Sequence, residues 1–122
     1  MDTNEKIEKI IEKLIVKTRE NLCAWKYQSN NKFKLVLGGG TIYLSATEYS
    51  DGILYVVLDI FNHSNINTPV ASIKKQKDGV TDLAILYTLV CQYHKEYVDD
   101  YIQRLIKEID SLYDDGSDFL KM

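Results

Sequence analysis

His63, His94, Cys23, Cys91 and Asp59 are the side chains whose types could carry chemistry here, and their spacing removes most of the options. His63 lies in the polar stretch Asn62-His63-Ser64-Asn65, and His94 lies in a helical stretch. Neither has a second ligand at i+4 and no His-Glu-x-x-His occurs, so no metal site and no cofactor are expected. Cys23 and Cys91 belong to no Cys-x-x-Cys spacing and read as buried free thiols. Burial would raise the pKa of Cys91, between Val90 and Gln92, and leave it inert. There is no Gly-x-Ser-x-Gly. Gly38-Gly39-Gly40 is followed by the strand Thr41-Ile42-Tyr43 rather than by a helix, so it reads as a hairpin or bulge and not as a phosphate loop. Asp59 is the one acid inside a strongly apolar strand, the place where a carboxyl is most readily perturbed. An enzyme would be centred there. The plainer reading has Asp59 at the strand's end, solvated or bonded to a hydroxyl, and no catalytic residue is assigned.

Two surfaces remain. Lys32 and Lys34 alternate with Phe33, Leu35 and Leu37, so the lysines point away from the core. With Tyr43, Tyr55 and Asp59 on the same face they form a sheet platform of lysine, tyrosine and hydroxyl groups, able to hold a small anionic ligand such as a nucleotide. Val36, Val57 and Ile53 point the same way, which ranks burial under a helix or a protein partner first, the anionic ligand second and single-stranded nucleic acid third. The rival surface is Tyr93, Tyr97 and Tyr101, spaced by four, as a helix–helix dimer seam. Ordinary packing of those tyrosines onto the sheet explains them equally well.

The elements that position these residues read in one order. Ile7, Ile10, Ile11, Leu14 and Ile15 recur at helical spacing from Thr3 to about Glu20, and Asp2 with Glu5 reads as a capping box. Leu22 to Gln28 and Lys32 to Leu37 are strands, separated by the turn Ser29-Asn30-Asn31. Thr41 to Thr47 and Ile53 to Phe61 form the central hairpin, closed by the Asp51-Gly52 turn signal. Nearly every side chain of Ile53 to Phe61 is apolar, which predicts cover on both faces of that strand. Val70 to Gln76 is a last strand, and Lys74-Lys75-Gln76-Lys77 is the lysine-rich edge that blocks further pairing. From Val80 the period changes to 3.6 and runs to Tyr113. As one straight helix this segment is ~50 Å long against a domain ~30 Å across. It is either one long helix or two, and a break at Val98-Asp99-Asp100 is preferred. Strands grouped between helices make the fold class α+β: an N-terminal helix, an antiparallel four- to five-stranded meander and a C-terminal helical segment, with one face of the sheet receiving the helices and the other exposed or set against a partner.

At 122 residues the chain reads as one domain spanning 1–122, with the acidic stretch 114–122 expected to fray. No apolar run is long enough to span a membrane. The opening Met1-Asp2-Thr3-Asn4 does not resemble a signal peptide, so a cytoplasmic location and no membrane partner are expected. The net charge of -3 argues against binding duplex DNA. Nine tyrosines against one tryptophan and three phenylalanines is an excess of the residue that buries its ring while its hydroxyl stays wet.

The segment Lys17-Thr18-Arg19-Glu20-Asn21-Leu22-Cys23-Ala24-Trp25, followed by a strand meander and a helical segment with the step Val98-Asp99-Asp100, resembles a loose group of small bacterial and phage α+β proteins. The resemblance carries no activity to any residue. The abundance of Asn, Ile, Lys and Tyr looks like that of an AT-rich genome. Together these lead to a non-catalytic intracellular binding protein, a homo-oligomer or partner of another protein, such as an accessory protein of a phage or mobile element. The alternative is a binder of a phosphorylated small molecule on the Lys32–Lys34–Tyr43–Tyr55 surface.

Overall fold

The computed structural model describes residues 2–112. Its elements are α1 (Thr3–Arg19), β1 (Lys26–Ser29), β2 (Lys32–Leu37), β3 (Gly40–Glu48), β4 (Leu54–Phe61), β5 (Ala71–Gln76) and α2 (Asp82–Asp110). The strands form one antiparallel sheet in the order β1-β2-β3-β4-β5, an α+β meander as the sequence predicts. The acidic stretch 114–122 and the expected helix end at Tyr113 lie outside the described residues.

Local chemistry fixes the boundaries. The Asp2 side chain accepts from the Glu5 amide at 2.8 Å and caps α1. At its other end Asn21 adopts φ 59, the Asn21 amide donates to the Thr18 carbonyl, and the Leu22 amide donates to that of Lys17. That paired bonding is a Schellman cap, with asparagine in the place glycine usually takes. It also corrects the first strand: Leu22 to Trp25 is a connector, because the amide of Leu22 is spent on the cap, and pairing starts only at Lys26. Asn30 and Asn31 both have positive φ, 51 and 61, as a two-residue type I′ hairpin between Ser29 and Lys32 requires. Between β3 and β4, Gly52 takes φ 78 and the Asp51 side chain accepts from the Ile53 amide.

Period-two alternation sorts the sheet into two faces. Phe33, Leu35, Ile42, Leu44, Ala46, Val56 and Leu58 are buried on one. Against them pack Ile7, Ile11, Leu14 and Ile15 of α1 and Leu83, Leu86, Tyr87 and Val90 of α2, in one core cluster. Thr18, buried beside this core, accepts a hydrogen bond from the Trp25 indole at 3.1 Å, which ties the connector back onto α1. The expectation that both faces of the central strand are covered does not hold within the sheet unit. Both helices use the same face, and no outward residue of β2 to β5 is buried. Val57, with Ser45 and Lys74 beside it on the neighbouring strands, is half-buried without a helix over it.

Two compact units divide the chain, one from Met1 to Cys91 and one beginning at Gln92. α2 runs through that division as one helix of 29 residues, so the preferred break at Val98-Asp99-Asp100 is absent. No glycine or proline interrupts Asp82–Asp110. Asp99 does not cap a second helix either: it pairs with Lys95 one turn earlier at 2.9 Å, which supports the helix it was expected to end. Thr81 supplies the cap at the start, accepting from the Ala84 amide.

Gly40 opens β3 where its backbone passes close to β4. A Cβ there would stand 2.6 Å from the carbonyl oxygen of Phe61. Backbone cannot swing aside as a side chain does, so Gly40→Ala is expected to destabilise the sheet by about 1–3 kcal/mol. Gly39→Ala meets no atom within 4 Å. Denaturant midpoints of the two variants, compared at equal transition slope, check the contrast.

Candidate functional site

The outward face of the sheet assembles most of the residues expected there. Cross-strand register sets Lys34, Tyr43, Asp59 and Ser72 in one row, and Lys32, Ser45, Val57 and Lys74 in the next. The Lys32 ammonium lies 4.4 Å from the centre of the Tyr43 ring, and that of Lys34 lies 5.9 Å from it. Tyr43 meets Phe61 edge-on at 5.5 Å. Each exposed ammonium–ring contact contributes about 0.5–1 kcal/mol, enough to bias these side chains without locking them.

A second cluster on this face was not foreseen. Lys74 sits 4.1 Å from the Tyr49 ring centre and 4.8 Å from that of Tyr55, and the two rings meet edge-on at 5.0 Å. The sequence offered one signal for it, since period two puts Lys74 on the face of Ser72 and Gln76, opposite Ile73. Reading Lys74 only as an edge lysine concealed its role. The Tyr55 hydroxyl donates to Asp51 at 3.1 Å, and that bond to a carboxylate raises the phenol pKa above its ordinary value.

Asp59 stands half-buried on the outward face, and the Ser72 hydroxyl donates to its Oδ1. This is the hydroxyl-bonded arrangement, on an open sheet, that the sequence offered as the alternative to a catalytic carboxylate. Among the described residues no group of three His, Cys, Asp or Glu side chains is placed to hold a metal ion.

The thiols are free, and each is half-buried rather than buried. Burial pushes the Cys91 thiol up, against the opposing pull of its hydrogen bond with Tyr87 and of the Lys77 charge. Tyr87 is itself pushed well above the ordinary tyrosine range, by burial first and by the Cys91 contact second. The native state thus keeps both protons where the unfolded chain releases them. Their contribution to stability is complete below the unfolded thiol value of about 8.5. It is lost as pH rises past that point and then past the unfolded phenol value of about 10. The denaturant midpoint should therefore fall from about pH 8 to about pH 11, and fall less steeply in Tyr87→Phe. Parallel curves for the two proteins would show that Tyr87 does not carry the dependence.

The unit that begins at Gln92 presents the third group of expected residues. Tyr97 and Tyr101 are 60% and 52% exposed and stack with ring centres 6.4 Å apart, whereas Tyr93 is half-buried. Every described residue from Lys95 onward is exposed. Val98, Ile102, Leu105, Ile109 and Leu112 follow one another at spacings of four and three. At 3.6 residues per turn the four within α2, Val98, Ile102, Leu105 and Ile109, fall within a stripe about 60° wide, with Tyr101 beyond one edge, Ile106 beyond the other and Tyr97 further round on the Tyr101 side. Arg104, Lys107, Glu96 and Asp100 occupy the other side.

No protein-family model, no curated protein and no solved structure matches this chain. The two faces must therefore be read from their own chemistry. Among the described residues no helix is long and apolar enough to cross a membrane, so the apolar side of α2 is not a spanning segment.

Proposed function

We propose that this protein is a non-catalytic interaction protein that self-associates through the second half of α2. One observation carries the reading: Val98, Ile102, Leu105 and Ile109 are exposed on α2 at the alternating four-and-three spacing of helices that pack side by side, and the exposed Leu112 follows just past the helix end. Leaving such a stripe in water forfeits about 25 cal/mol for each Å² of apolar area that a partner would cover. A second copy is the partner that fits best. Identical helices offer identical stripes, a two-fold axis pairs each with the other, and no charge lies within the five positions. Tyr101 and Tyr97 extend the stripe on one side with rings that bury while their hydroxyls stay wet.

Sedimentation equilibrium of the full chain tests this. A reversible dimer at micromolar concentration is the expected result, and a monomer up to millimolar concentration overturns it.

A second reading rests on the sheet. Lys32, Lys34 and Lys74 converge on Tyr43, Tyr49 and Tyr55, which supports weak binding of an aromatic anion such as a nucleotide. Replacing Lys32 and Lys34 by alanine should then remove any thermal stabilisation by nucleotide.

A further inference from the structure

At one end of the sheet, α1 and the ends of β2, β3 and β4 border an open cavity of about 450 Å³, within the usual size range of small-molecule sites. Its walls are apolar, with Ile10 and Leu14 from α1, Leu37 from β2, Ile42 from β3, Ile60 from β4 and Val70 from the following loop. Leu37 and Val70 are exposed, Val70 by 68%, so this apolar lining meets water when the cavity is empty. The charge at the cavity is of one sign. Lys13 and Lys17 stand one helical turn apart on α1 and both line it, and among the described residues no acidic one does. Neither lysine forms a salt bridge or side-chain hydrogen bond among the described residues, whereas Lys95 of α2 does.

We propose that this cavity binds an amphiphilic carboxylate, a free medium-chain fatty acid or a molecule of that shape. The acyl chain lies between α1 and the sheet, and the carboxylate is met by the ammonium groups of Lys13 and Lys17. Apolar walls alone would accept any small hydrophobic molecule. Two cations on the same wall, without a partner among the described residues, select one that ends in a negative charge. The site is independent of the α2 stripe, and its success or failure leaves the self-association unaffected.

Calorimetric titration of the full chain with hexanoate, octanoate and decanoate, each below its micelle concentration, decides the matter. Saturable binding of one molecule per chain is expected, tightening by up to about fourfold for each added methylene. Changing both lysines together, Lys13→Gln with Lys17→Gln, should weaken decanoate by about tenfold or more and leave the uncharged decanol unchanged. Both lysines are exposed, so the double variant keeps the core that folds the native chain. Val70→Trp, at an exposed position on the wall, should block decanoate and decanol alike. The proposal is overturned if decanoate shows no saturable binding, if the double variant binds it as tightly as the native protein, or if Val70→Trp leaves binding intact. Binding to anionic vesicles with no binding of free decanoate would likewise replace the small-molecule site with a membrane-surface one.

Discussion

Replacing Ile102 and Leu105 together by glutamate is expected to abolish self-association. The two positions lie at the middle of the exposed apolar stripe of α2, three residues apart. In a two-fold dimer each substitution appears twice, so four carboxylates would have to leave water against apolar neighbours with no hydrogen-bond partner. Even at about 2 kcal/mol each, the lower end for burying an unpaired polar group, the dissociation constant rises by more than about a thousandfold. Both residues are exposed in the single chain, 49% for Ile102 and 40% for Leu105, so the sheet unit should keep its denaturant midpoint. Arg104→Glu with Lys107→Glu, on the opposite side of the same helix, changes the charge by more yet touches no stripe position. That pair should leave the dissociation constant within about tenfold of native. Sedimentation of the two double variants beside the native protein distinguishes the stripe from a general charge effect. Equal weakening by both pairs would mean that association does not run through the stripe.

Leu58→Ala should be among the most damaging single changes to the fold. Leu58 lies on β4, the strand between β3 and β5, is 0% exposed, and stands opposite Leu44 on one side and Ile73 on the other. Helices and sheet close over it in the same cluster, so little can collapse into the space its side chain leaves. The expected cost is about 3–5 kcal/mol, a large part of the ~5–15 kcal/mol that holds a domain of this size together. Val57→Ala, one residue earlier, removes apolar atoms from the outward face, where the side chain is only half-buried. It should cost less than about 1.5 kcal/mol. The ratio of the two, read from chemical denaturation, reports which face the helices cover. Similar costs would mean that the outward face is also packed.

Much of the architecture was legible because it follows from short-range rules. Alternation in β2 and β3 separated Phe33, Leu35, Ile42 and Leu44 from Lys32, Lys34 and Tyr43, and period two admits no other arrangement once one face is buried. The spacing of Ile7, Ile11, Leu14 and Ile15 gave α1 its buried side. Asn30-Asn31 and Asp51-Gly52 marked their turns because few other residues tolerate positive φ. Local rules failed where a neighbour had a competing use for the same atoms. Leu22 looked like the start of a strand, but its amide caps α1. Asp99 looked like a helix cap, but its carboxylate pairs with Lys95.

The amino-acid order by itself determined the order of helix, strands and helical segment along the chain and the inward side of most of them, since each follows from a residue's own preference and a fixed period; it did not determine that the last segment is one helix or where the first strand begins. Only the tertiary structure decided that Lys74 joins Tyr49 and Tyr55, and that Lys13 and Lys17 stand beside an apolar cavity. Those placements join residues tens of positions apart. They depend on how the side chains of one element fill the space left by another, and no local period encodes that.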